Sequence, residues 1–118
     1  MRNKNHGRLA EFLATIYFRL KFYKIIKKNY KGIKKTPVGE VDFIALKNKT
    51  LVFVEVKKRQ TIEKAKYSIK TPQQKRIISA AKLFIKQNPC YRNCKIRFDA
   101  VLIKFPFTVV HIKDAWDE

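Results

Sequence analysis

The sequence predicts an α/β or α+β fold in which one mixed β-sheet is flanked by helices. The main observation is the spacing of apolar residues, which is helical in two segments and strand-like in five others, in the order helix, three strands, helix, two strands. The second observation is the length, because 118 residues can enclose one hydrophobic core but not two. We therefore treat residues 1–118 as a single domain.

The elements follow in chain order from these patterns. Helical spacing predicts a first helix from Gly7 to about Lys21, and a basic strand, FYKIIKKNYK, comes after it. Two strands joined by a short turn follow in VGEVDFIALKNKTLVFVEVKKR. The second helix is predicted in TPQQKRIISAAKLFIKQN, with Thr71 as its N-cap and Pro72 at the first helical position. KIRFDAVLI and FTVVHIKDAW are the last two strands.

The charge balance indicates an anionic partner. The chain has 28 Lys and Arg residues against 9 Asp and Glu, a formal net charge of +19. Such a charge costs self-repulsion in a small domain, and nucleic acid fits it best, through phosphate contacts and counterion release. A lysine bias from AT-rich coding would account for part of the same excess. Because no apolar run is long enough for a membrane span or a signal peptide, we expect a cytoplasmic protein without a membrane partner.

Two carboxylates are predicted to face each other across the hairpin. If Asn48-Lys49 forms a two-residue loop, counting back along both strands puts Asp42 opposite Glu55. Like charges in such a pair are destabilising, and a divalent cation offsets their repulsion. Lys57 lies on the same face as Glu55, because side chains alternate along a strand. The three side chains together suit metal-dependent chemistry at a phosphodiester.

A purely structural interpretation of the same strand stays open. Glu55 and Lys57 would then form an exposed charge pair on a one-sided antiparallel sheet. In either case, Val52, Val54 and Val56 are expected to form the core face of the strand.

These motifs carry a resemblance to a known family. GEVDFIA and LVFVEVKKR resemble the core motif of the PD-(D/E)XK nuclease superfamily, with Asp42 as the first acid and Glu55-Val56-Lys57 as the ExK element. The ordered set GRLAEFLA, GEVDFIA, VFVEVKKR, QQKRIISAAKLFI, RFDAVLI and HIKDAW resembles the YraN-like family of small bacterial endonuclease-like proteins over almost the whole chain. That family is similar to Holliday-junction resolvases in its core arrangement. The resemblance therefore implies a restriction-endonuclease-like α/β domain.

The resemblance also implies roles for the central residues. Asp42 and Glu55 would ligate Mg²⁺ or Mn²⁺ with help from the carbonyl of Val56. Lys57 would position the attacking water or stabilise the transition state. The basic residues of the helices and loops are expected to contact phosphates; they are Arg8, Lys34, Lys35, Lys58, Arg59, Lys75 and Arg76.

Two further site residues are implied, each with a structural alternative. Glu11 matches a helix glutamate that approaches the metal in resolvase-like members, and otherwise it is an acid favoured by the helix dipole. Gln74 matches a glutamine on the helix after the ExK strand, although Gln73 stands where that pattern has Lys. Alternatively, Gln74 completes a capping box with Thr71.

The sequence thus predicts a Mg²⁺-dependent DNA endonuclease that acts on branched or flapped DNA. The alternatives are a non-catalytic, basic nucleic-acid-binding protein that retains the fold, and an RNA- or ribosome-associated protein. Asp99 is expected to pair with Arg97 or a neighbouring Lys outside the site, and no partner is predicted for His111. Resolvase-like enzymes are often symmetric dimers, so a homodimer is expected by analogy.

Overall fold

A computed structural model describes residues 4–31, 41–58, 69–106 and 108–117 of the chain, with side chains from residue 8 onward. Its elements follow the predicted order of helix, three strands, helix and two strands. They are α1 (Lys4–Leu20), β1 (Lys24–Tyr30), β2 (Val41–Lys47), β3 (Thr50–Lys58), α2 (Thr71–Gln87), β4 (Lys95–Lys104) and β5 (Thr108–Ile112). The strands form one sheet in the order β1-β2-β3-β4-β5, in which only β3 and β4 are parallel. The predicted α/β class and mixed sheet are confirmed.

The hairpin of β2 and β3 has the predicted register. Lys47 pairs with Thr50 across a two-residue turn, in which Asn48 has φ 49° and Lys49 has φ 62°. Positive φ at both turn residues matches the right-handed twist of the flanking strands, which is why such turns make tight hairpins. Pairing then continues residue by residue to Phe43 and Val54. The turn therefore fixes which residues of β2 and β3 face each other.

Each face of the sheet is covered by one helix. The small residues Ala10 and Ala14 and the ring of Phe18 bring α1 against an apolar face of Phe43, Ala45, Val52, Val54, Val101 and Ile103. On the other face α2 packs through Ile77, Ala80, Ala81 and Phe84 against Ile44, Leu51, Phe53, Phe98 and Leu102. The parallel pair β3–β4 requires a crossover, and α2 lies on that crossover. The result is a helix–sheet–helix sandwich with two buried clusters, one on each face of the sheet, so the expectation of one core from the chain length is wrong.

The prediction of a single core face for β3 is incomplete. Val52 and Val54 are buried under α1 as expected, but Leu51 and Phe53, on the face of Glu55, are equally buried under α2. Central strands beside a parallel neighbour are covered on both faces, so their sequences read as continuous apolar runs. Glu55 therefore ends a core face, and the interpretation of an exposed charge pair is wrong.

The helix boundaries differ in detail from the predicted ones. The N-cap of α2 is Lys70, whose side chain makes no capping hydrogen bond, and Thr71 is the first helical residue. α1 begins at Lys4, three residues before the predicted Gly7. None of the helices in the described part of the chain is long and apolar enough to cross a membrane.

The chain after α2 contains one element that the pattern did not predict. A short 3-10 helix, Pro89–Tyr91, leads from α2 into β4. At the other end, β5 stops at Ile112, and the segment after it folds back so that Trp116 stacks on Phe98 at 5.7 Å between ring centroids. The strand is therefore shorter than the predicted segment FTVVHIKDAW, because Trp116 is buried in the core and does not continue β5.

Candidate metal centre

The candidate centre lies where β2 and β3 stop pairing. The backbone ladder ends at Phe43 and Val54, one residue before Asp42 and Glu55. Beyond this point the Val56 N–H donates a hydrogen bond to a side chain of β2, Asp42 Oδ2, at 2.6 Å. Buried backbone N–H groups need an acceptor, and the carboxylate takes the place of the missing strand neighbour. Asp42 is thereby held against the ExK segment.

Burial perturbs Asp42 strongly. The pKa of Asp42 is raised to about 8, chiefly by loss of water around the carboxylate and further by a hydrogen bond and charge repulsion from Glu55. Hydrogen bonds with Glu11 and the Val56 N–H oppose the shift. Desolvation and a like charge both disfavour an ionised carboxylate. In the metal-free protein Asp42 therefore resists ionisation, and a cation bound there would offset the cost of its charge.

Glu55 is held by a glutamine of α2, though by Gln73 and not by the expected Gln74. The side chain of Glu55 is almost fully enclosed, with 4% of the residue exposed, and the Gln73 amide donates a hydrogen bond to its Oε2. Gln74 Nε2 instead donates to the carbonyl oxygen of Ile69 at 2.9 Å. Because Thr71 is inside the helix, the capping box does not form either. Gln74 stabilises the start of α2, and the residue next to it contacts the site.

Glu11 lies beside Asp42, as the resemblance implied. It lines the same cleft as Asp42, and the two carboxyl groups share a hydrogen bond. The helix-dipole alternative is wrong, since α1 starts at Lys4 and Glu11 lies beyond its first turn, which contains no acid. Glu11 thus adds a third carboxyl group near the pair.

The cleft beside Asp42 has a volume of about 340 Å³ and opens to solvent. α1 contributes Arg8, Glu11, Phe12 and Thr15 to its wall, and the strands contribute Lys28, Asn29 and Asp42. The lining of the cleft therefore combines carboxyl groups, cations and an aromatic ring.

Lys28 and Asn29 were not predicted to belong to the site. The register of β1 against β2 shifts between Ile25 and Lys27, and Asn29 has φ 52°. A bulge inserts one extra residue and redirects the side chains that follow it. The bulge lies at Ile26, before both residues, and the positive φ of Asn29 is a separate irregularity. Pairing of Lys28 with Phe43 brings both residues beside Asp42, and no pattern within β1 alone indicates that contact.

The remaining predicted site residues are all basic. Lys57 follows Glu55 by two residues on the same face of β3 and is partly exposed. Lys58 is exposed, with its Nζ 5.2 Å from the centroid of the Phe105 ring. Lys75 and Arg76 are exposed on the first turns of α2, next to the glutamine that holds Glu55. The predicted phosphate contacts Lys34, Lys35 and Arg59 lie outside the described residues.

The donor set suits a hard divalent cation. Within the described residues, no three His, Cys, Asp or Glu side chains already form a closed ligand group. Mg²⁺ does not require one, because it binds through one or two carboxylates and keeps waters or phosphate oxygens as its other ligands. Asp42 and Glu55 supply the carboxylates, and their mutual repulsion is the cost that a cation would remove. The residues therefore fit Mg²⁺ or Mn²⁺.

A second charged cluster lies apart from the centre and is structural. Asp99 is fully buried and accepts two hydrogen bonds from Arg97, at 2.8 and 2.9 Å, while His111 Nε2 lies 2.6 Å from its Oδ2. Tyr23 accepts a further bond from Arg97 at 2.7 Å. Burial alone would raise the pKa of Asp99, but bonds from His111, Arg97 and the Asp114 N–H lower it. The predicted Arg97 pair is confirmed, and the expectation that His111 has no partner is wrong.

The fold and the site define a small α/β domain with one mixed sheet and a carboxylate-lined cleft at the open end of its central hairpin. The chain belongs to the family described as Uncharacterised protein family UPF0102, which it matches over residues 10–103, and the YraN-like resemblance is thereby confirmed. It is 39% identical over 113 residues to a UPF0102 protein of Paramagnetospirillum magneticum, covering 96% of this chain and 88% of that protein. It is also 39% identical over 112 residues to one from Ehrlichia ruminantium, covering 95% and 84%.

Proposed function

We propose that the protein is a divalent-metal-dependent endonuclease that hydrolyses phosphodiester bonds in DNA, at branched or flapped structures. The observation that carries this proposal is the crowding of Asp42 against Glu55, beside an open cleft that Asp42 and Glu11 line. Two carboxylates crowded in this way destabilise the fold unless a cation or a proton neutralises them. One acceptor for the Val56 N–H would be enough for a structural role, whereas a metal site also uses the second carboxyl group.

Asp42 and Glu55 would hold the cation, with the Val56 carbonyl as a further oxygen donor. When bound there, a divalent cation lowers the pKa of a water ligand and stabilises negative charge on a phosphoryl oxygen. Gln73 keeps Glu55 in one orientation through its amide hydrogen bond. An outer contact of this kind holds a ligand carboxylate in place and tunes the affinity for the metal.

Lys57 provides the positive charge that the reaction needs on the same face of β3. Its ammonium group would orient the attacking water and stabilise charge that develops on the phosphate oxygens. Arg8 and Lys28, both exposed at the cleft, would contact phosphates of the bound strand. The high net charge of +19 strengthens this attraction over the rest of the surface.

The test compares cleavage by four variants on matched substrates. Plasmid, a four-way junction and a flapped duplex are incubated with purified protein in Mg²⁺, in Mn²⁺ and in chelator. We expect metal-dependent cleavage that falls by roughly 100-fold or more in Asp42→Asn, Glu55→Gln and Lys57→Ala, since each removes a group that stabilises the transition state. Asp117→Asn, which changes an exposed carboxylate after β5, is the control and should cleave normally.

Equal cleavage by the wild type and the three site variants would contradict the assignment. Tight, salt-sensitive binding with no cleavage of any substrate in either metal would favour the non-catalytic nucleic-acid-binding alternative.

A further inference from the structure

The cleft contains the aromatic ring of Phe12, which can neither ligate a metal nor transfer a proton. Phe12 is 53% exposed, although phenylalanine is usually buried, and its ring lines the same cleft as Asp42 and Glu11. Phe18, on the same helix, is fully buried. An exposed ring inside a polar cleft therefore needs an explanation other than core packing.

The backbone under this ring is fixed. Phe12 lies in the interior of α1, and Thr15 Oγ1 donates to its carbonyl oxygen at 2.7 Å. Arg8, Phe12 and Thr15 share one face of the helix, because residues three and four apart lie above one another. The ring is thus carried on a rigid element, one turn from a guanidinium and beside a carboxylate pair.

The groups around Phe12 match the two parts of a nucleotide. Arg8 and Lys28 are cations suited to phosphate, and the phenyl ring offers a flat surface to a base. A cleft of about 340 Å³ is large enough for a small ligand such as one nucleotide, but it is too small to admit a duplex. Within a duplex, each base already stacks on its neighbours, so a side chain can stack only on a base that has left the helix.

We propose that Phe12 stacks on an unpaired nucleobase whose phosphate contacts Arg8 and Lys28, so that the cleft selects single-stranded or splayed nucleotides over paired ones. This inference rests on the proposed function, because it names the substrate class of the same site. Phe12 is a specificity residue in this scheme, and it takes no part in hydrolysis.

The experiment measures binding in chelator, where no cleavage occurs. Fluorescence anisotropy compares a labelled single strand of about 12 nucleotides with the same sequence in a blunt duplex. Phe12→Leu should weaken single-strand binding by roughly 5- to 150-fold, the range found for loss of one base–aromatic stack, and should leave duplex binding unchanged. Phe12→Tyr keeps a stacking ring and should bind like the wild type.

The matched control is Leu9→Ala, since Leu9 is a second exposed apolar residue of α1, 44% exposed and outside the cleft lining. It should change neither affinity. An oligonucleotide series with one abasic position gives an independent readout. At one position the missing base should weaken the wild type and have no additional effect on Phe12→Leu, as expected for two partners of one contact.

Single-strand affinity that is equal in Phe12→Leu and the wild type would overturn this inference, as would an equal loss on both substrates. Neither result bears on cleavage by Asp42, Glu55 and Lys57, so the proposed function can survive it. Conversely, a wild type that never cleaves, but prefers single strands through Phe12, would reject the endonuclease and keep the stacking role.

Discussion

Removal of the Asp42 charge should stabilise the metal-free protein at high pH. Asp42→Asn keeps a side-chain oxygen that can accept the Val56 N–H and removes the ionisable group. The folded protein raises the pKa of Asp42 from 3.8 to about 8, chiefly by burial. A carboxyl group with a raised pKa stabilises the fold fully below its unfolded pKa, and that stabilisation is lost as pH rises through the folded value. The wild type should therefore weaken between about pH 4 and about pH 8.

The size of this effect follows from the two pKa values. Each unit of difference corresponds to about 1.4 kcal/mol, so a change from 3.8 to about 8 sets an upper limit on the order of 5 kcal/mol. Water in the open cleft screens part of this energy, and we take about half of it as realised. In a domain of this size that corresponds to a difference in Tm on the order of 10 °C.

The assay is a series of thermal melts in chelator from about pH 3.5 to about pH 8.5, a window that spans both the unfolded and the folded pKa of Asp42. The Tm of Asp42→Asn should equal that of the wild type at the acid end and exceed it at the alkaline end. Asp117→Asn, an exposed carboxylate variant, should follow the wild type throughout. Addition of Mg²⁺ at the alkaline end should raise the Tm of the wild type and leave that of Asp42→Asn almost unchanged. Parallel curves for the wild type and Asp42→Asn in chelator would refute the argument from burial.

Three further predictions test other parts of the structure. Asp99→Asn should lower the free energy of unfolding in urea by roughly 3–5 kcal/mol, because it breaks a buried ion pair. It should also abolish the loss of stability that the wild type shows below about pH 4. An unchanged urea midpoint would show that the cluster is not structural. Gln73→Ala should reduce cleavage by roughly 10- to 100-fold with little change in Tm. Gln74→Ala should instead cost about 1 kcal/mol of stability and leave cleavage intact. The reverse pattern would restore Gln74 as the glutamine of the site. Phe84→Ala should cost roughly 3–5 kcal/mol in urea unfolding, since the ring fills the α2 core, and a loss under about 1 kcal/mol would contradict that packing.

The hairpin could be predicted because its information is local. Asn48-Lys49 specifies a two-residue turn, and the turn sets the register that brings Asp42 towards Glu55. The elements and their order could be predicted for a similar reason, since periodicity depends only on nearby residues.

The parts that could not be predicted depend on contacts between distant elements. The orientation of α2 about its axis decides that Gln73, and not Gln74, contacts Glu55. The spacing of residues along the sequence does not determine that orientation. His111 contacts Asp99 because β4 and β5 pair, which is invisible when each strand is considered alone. Lys28 likewise reaches the cleft because β1 pairs with β2, which puts Lys28 opposite Phe43 and beside Asp42.

The short sequence separation within the carboxylate pair has a consequence for how the protein can change. Asp42 and Glu55 lie on one hairpin, whereas the residues that flank them come from α1, β1 and α2. If the proposed function holds, substitutions on the cleft face of α1 would alter which strand or base is accepted, while the hairpin keeps its carboxylates in register. The proposed recognition and hydrolysis would then vary separately in evolution or in the laboratory, with β2 and β3 as the constant part.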